Sequence, residues 1–193
     1  MATPRQLVET VAKVLGVSVA TVIVHDRNLA TAPVPLRTVA GRGRAAARVT
    51  AVDAANLLIA VAGSASVKDS IATVTAYRDL PGKKDRNASA CGVRRYDELP
   101  ARHTFGRALA AFIFAAAAKE IPLGLTISFR FFGPPVTAAR IDWRGLSEDE
   151  FSGSTYEKKS NRDMINDVGD LERQTYFTER TIFCVGAAIG MTI

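Results

Sequence analysis

Residues 3–30, TPRQLVETVAKVLGVSVATVIVHDRNLA, decide how the first third of this chain folds. At their centre lies the turn Leu15-Gly16-Val17-Ser18. Thr3 can cap a helix whose first residue is Pro4, where a missing N–H costs nothing. Leu7, Val8, Val11, Val14 and Leu15 then recur at spacings of three and four, which is one face of an α-helix. Gly16 ends that helix, because a left-handed backbone is cheap for glycine. Ser18 caps a second helix that buries Val19, Val22 and Ile23 and runs to about Ala30. The prolines of Thr31-Ala32-Pro33-Val34-Pro35 stop it. A small residue (Ala12), a turn glycine (Gly16), an apolar plug (Val17) and an inner aliphatic (Val22) together predict a helix-turn-helix.

Working outward, Leu36 to Val39 and Ala47 to Thr50 flank the basic loop Gly41-Arg42-Gly43-Arg44. This pattern predicts a short β-hairpin, or wing, with two arginines at its tip. Thr50 then caps a third helix with Asp53 at its third residue, where a carboxylate suits the helix dipole. Ala54, Leu57, Leu58 and Val61 give that helix a broad apolar face. The loop also fits a loose G-x-G-x-x-A, but no core strand precedes it and no acidic residue follows at ribose-binding distance, so dinucleotide binding is excluded.

Helix, turn, helix, wing and helix within residues 3–63 resemble the MerR-like winged helix-turn-helix. That group includes transcription regulators, phage excisionases and the DNA-binding domains of some phage terminase small subunits. The resemblance implies double-stranded DNA as partner. Charge agrees with it. Of a net +6, residues 1–65 hold seven Lys/Arg against three acids, +4, and the remainder hold eighteen against sixteen, +2. A polyanion is drawn to the first third. On the second helix, Thr21, His25 and Asn28 fall on one face by spacings of four and three, and the reading expects that face to be open. The expected DNA contacts are Ser18 with the helix N-terminus on a phosphate and Thr21, His25 and Asn28 on bases. Arg27 flanks them, Arg42 and Arg44 lie at the wing, and Arg37 and Arg48 add charge.

The rest of the chain predicts architecture more than chemistry. Residues 64–103 read as a connector with one helix (Val67, Ile71, Val74, Tyr77) and a charged loop at 79–87. Residues 104–119 read as a very apolar, alanine-rich helix. Leu123 to Phe131 alternate with period two, Gly133-Pro134-Pro135 turns, and Val136 to Trp143 return as the partner of an antiparallel hairpin. An acidic stretch follows from Ser147 to Asp170, then a strand near 171–176 and a last helix with Ile182, Phe183 and Ile189 inward. The fold class expected is mainly α with an α+β second half. Its units are a winged helix-turn-helix (1–63), a connector (64–103) and an α+β oligomerisation or effector domain (104–193).

Cys91 and Cys184, with His25 and His103, are too scattered for a metal site, so no metal or cofactor is expected. The cysteines are expected to be free, partly buried thiols in a cytoplasmic protein. No Ser/His/Asp arrangement, P-loop or carboxylate pair supports an enzyme. The longest apolar run, Ala108 to Ala118, is about half a bilayer span, so no membrane association is expected. The expectation is therefore a DNA-binding homo-oligomer, foremost a transcription regulator. The alternatives are a phage-type packaging or recombination accessory and a protein–protein assembly factor.

Overall fold

The computed structural model describes residues 3–38, 48–84, 90–133, 137–145, 152–158 and 174–190. Three helices form the first third. Helix α1 (Pro4–Leu15) starts with the Thr3/Gln6 capping box and ends at Gly16, whose φ of 65° is left-handed. Helix α2 (Val19–Ala30) starts at Ser18, whose Oγ accepts from the Thr21 N–H at 3.1 Å. Helix α3 (Ala51–Gly63) carries a Thr50/Asp53 capping box, and nine of its thirteen residues are buried. A helix apolar on all sides belongs in an interior, and α3 is the central rod of the molecule. Leu57, Leu58 and Ile59 are each almost fully buried, contributing roughly 1.5–3 kcal/mol apiece.

Beyond α3 come a 3-10 turn (Val67–Asp69), α4 (Ser70–Arg78), strand β1 (Gly82–Lys84) and the short α5 (Arg94–Asp97). Then follow α6 (Phe105–Ala117), β2 (Thr126–Phe132), β3 (Ala138–Arg144), β4 (Ser152–Glu157), β5 (Gln174–Thr178) and α7 (Glu179–Gly190). The five strands form one antiparallel sheet in the order β1-β4-β3-β2-β5. The expected hairpin is β2–β3, with Phe129 opposite Ile141 and Ile127 opposite Trp143. Its apolar face carries Phe129 and Phe131, which meet Phe112 and Phe105 of α6 edge to face. Of the turn between these strands, residues 134–136 lie outside the described residues.

The molecule is thus mixed α+β, with helices crowding the first half and the sheet in the second. Two strands depart from the sequence reading. Strand β4 falls in the stretch read as acidic and polar because its inward residues are Ser154 and Tyr156, not an apolar alternation. Strand β1 falls in the stretch read as a charged loop. It pairs with β4 through Gly82 opposite Tyr156, where a Cβ would lie 2.7 Å from the tyrosine ring. The acidic triplet Glu148-Asp149-Glu150 and residues 171–173 of the expected third strand lie outside the described residues, and β5 begins at Gln174.

Packing joins the two halves. Helix α1 packs on α7 and α3 packs on α6, so a single buried cluster runs from Leu7 to Val185. That cluster takes in residues on both sides of 63 and of 103. The alanines of α6 face α7, where Gly186 lies so close that a Cβ would sit 2.5 Å from the Ala116 Cβ. Phe183, expected inward, is 41% exposed, while Ile182 and Val185 take the core positions. Cys91 is buried and Cys184 exposed, where two partly buried thiols were expected. Among the described residues, no helix is long and apolar enough to cross a membrane.

Candidate nucleic-acid interface

Helices α1 and α2 form a hairpin about Gly16. Ala12 is buried where the helices meet, Val17 packs against the core and Val22 is fully buried beneath α2. The backbone N–H groups of Gly16 and Val17 both donate to the Ala12 carbonyl. Ser18 and Thr21 are tied to each other through their hydroxyls at 2.8 Å, so the start of α2 is locally closed by its own cap.

The face of α2 assigned to bases is corrected. His25 is only 4% exposed, and its Nδ1 lies 2.8 Å from the Ser70 Oγ at the start of α4. Ser70 itself donates to the Val67 carbonyl, so its oxygen accepts from His25, which fixes the Nδ1–H tautomer. Asn28 donates to the Val67 carbonyl at 2.7 Å and to the Ser70 Oγ at 3.3 Å. Spacing alone does not show that α4 and the 3-10 turn, some forty residues on, pack against His25 and Asn28. Burial also lowers the pKa of His25 by penalising the imidazolium.

The side left open is different. Val19, Ala20, Ile23, Val24 and Arg27 are exposed, the aliphatics at 45% (Val19), 43% (Ile23) and 38% (Val24). At 3.6 residues per turn these five positions span an arc of roughly 140°. The open face is therefore aliphatic with one cation, where the sequence suggested a polar one.

One carboxylate bonds residues on both sides of the basic segment. Asp53 accepts from the Thr38 N–H at 2.7 Å through Oδ1, and from the Thr50 N–H at 2.8 Å through Oδ2. One side chain thus pins both feet of residues 39–49. A second tie lies just before it. Leu36 donates its N–H to the Leu29 carbonyl of α2 and accepts from the Asn56 amide of α3. Arg37 and Asp26 of α2 form an ion pair at 2.8 Å, both largely shielded. The Asp26 pKa is raised, chiefly by burial; Arg37 works against that rise and Asp53 adds to it. Asp26 lies three residues beyond Ile23 and seven beyond Val19, so the root of the basic segment adjoins the open face of α2.

Of the expected contact residues, Ser18, Arg27 and Arg48 are exposed and Thr21 is half-buried. Arg37 is spent on Asp26, and His25 and Asn28 turn inward. Arg42, Arg44 and the body of the expected wing lie outside the described residues, and the flanks 36–38 and 48–50 are not strands. The cap role of Asp53 was legible from its place after Thr50. Its second bond was not, since Thr38 is fifteen residues away.

The second histidine also has a settled place. His103 is fully buried, with Nε2 2.9 Å from the Tyr156 hydroxyl and Nδ1 2.8 Å from the Pro100 carbonyl. Tyr96 joins that network by donating to the Ser154 Oγ at 2.7 Å. Burial pushes both tyrosines up from their ordinary pKa. These groups bind β4 to α5 and to the turn that precedes α6.

No protein-family model matches this chain, and neither does any curated protein or solved structure.

Proposed function

We propose that residues 3–63 bind double-stranded DNA and that the protein is a transcription regulator. The observation that carries this reading is the Asp53 clamp. It ties down both ends of a segment containing Arg42, Arg44 and Arg48, beside a capped helix with a free outer face. A major groove about 12 Å wide admits such a helix, and flanking cations neutralise phosphates. The α+β remainder, packed on α1 and α3, supplies the frame and a surface for self-association, since specific affinity usually needs two copies on two half-sites.

The test is a fluorescence-anisotropy titration of the full chain with duplex DNA at several salt concentrations. Affinity should fall steeply with log[salt]. The Arg42→Ala/Arg44→Ala double variant should flatten the slope by about 1.8, roughly 0.9 for each phosphate no longer neutralised. Absence of duplex binding at low salt would sink the reading. A second reading, a protein–protein assembly factor, draws on the aliphatic side chains of the same α2 face. In that case binding would be to a protein and only weakly salt-dependent.

A further inference from the structure

We infer that the open face of α2 reads DNA through thymine methyl groups, with Arg27 placed to bond a neighbouring guanine. This rests on the DNA-binding reading above and deepens it by naming what is recognised. The argument begins from what α2 has to offer. Of its hydrogen-bonding side chains, His25 and Asn28 are committed to Ser70 and Val67, Thr21 to Ser18 and Asp26 to Arg37, which leaves Arg27. The exposed arc holds Val19, Ala20, Ile23 and Val24, which can neither donate nor accept. In the major groove the one apolar feature of a base edge is the thymine C5-methyl group. Arg27, on the same arc and two turns beyond Val19, presents a fork that matches guanine O6 and N7.

Charge decides which occupant fits this face. Among the described residues no carboxylate pairs with Arg27 or Arg48, while Asp26, the acid nearest the face, is already paired with Arg37. A second copy of the chain docked face to face would bring these cations against themselves. A duplex brings phosphates to the cationic rim and methyl groups to the aliphatic centre. The preferred site is then a run of A·T pairs with a G·C pair at one end.

The experiment uses the full chain and a random duplex pool at low salt, followed by binding to the selected duplex with each thymine replaced in turn by uracil. Uracil lacks only the methyl group. One or more replacements should weaken binding about three- to fivefold, the loss expected for one apolar carbon left in water. In the Val19→Ala/Ile23→Ala variant, thymine and uracil duplexes should bind alike, with the salt slope unchanged. Both residues are exposed, so the variant should melt like the parent. If the parent binds its duplex selectively yet no position distinguishes thymine from uracil, the methyl readout is wrong and the DNA reading stands. If no duplex is selected, the DNA reading fails and takes this inference with it. If the double variant changes the sedimentation of the free protein, a second copy covers the face and the inference is overturned.

Discussion

Asp53 concentrates more structure than any other side chain in the first third. Its two oxygens satisfy backbone donors on both sides of the basic segment, and Oδ2 also accepts from the Thr50 hydroxyl. Asp53→Asn would aim an NH2 group at one of those N–H donors. The expected loss is about 0.5–2 kcal/mol, that of a weakened helix cap, read from urea unfolding. His25 sets a pH dependence. Its ordinary pKa is 6.5 and burial lowers it in the folded protein. Above 6.5 both states hold it neutral and its contribution is complete. As pH falls below that value the unfolded chain takes up a proton that the folded one resists, so stability is lost. Urea midpoints should therefore drop between about pH 7.5 and 5.5, and the drop should be smaller in His25→Gln. Equal slopes for the two proteins would show that His25 does not titrate between the states.

Helix boundaries in the first third were legible because each has a local cause. Thr3, Ser18 and Thr50 cap by bonds spanning three residues, and Gly16 stops α1 by its own φ. The β2–β3 hairpin was legible for the same reason, since alternation is local. Strands β1 and β4 were not, because what makes them strands is pairing, β1 on β4 and β4 on β3 as well, with the Tyr96–Ser154 bond across 58 residues. The outward side of α2 was misread on similar grounds. His25 and Asn28 look solvent-facing until α4 and the 3-10 turn arrive to cover them. The apolar face of α6 was legible as well, though not that α7 is what its alanines meet. That contact makes its own prediction. Gly186→Val places branched carbons where even a Cβ would lie 2.5 Å from Ala116. Overpacking of this kind typically costs about 1–3 kcal/mol, so the variant's thermal midpoint should fall by several degrees. A midpoint matching the parent's would mean that α6 and α7 separate without cost.

At the scale of the whole molecule, the α1–α2 hairpin shares one buried core with the sheet half. Helix α3 buries Leu57, Leu58 and Ile59 between α1, α4 and α6, and α1 leans on α7. A fragment of residues 1–63 would lose α6 and α7 and expose much of that surface. At about 60 residues it has little margin. Its circular dichroism should show far less helix than the same residues hold in the full chain, and urea should unfold the full chain in one transition. A fragment with cooperative unfolding of its own would show that the shared core is dispensable. The Asp53 clamp has a further consequence for how such a molecule can vary. Because the feet at Thr38 and Thr50 are set by one carboxylate, the separation between them does not depend on what is strung between. Doubling the length of a flexible insert adds only about 0.6 kcal/mol of closure entropy. Thr38 and Thr50 are therefore the two sides of a socket set by α3, and a change in the length of chain between them should leave the helices in place.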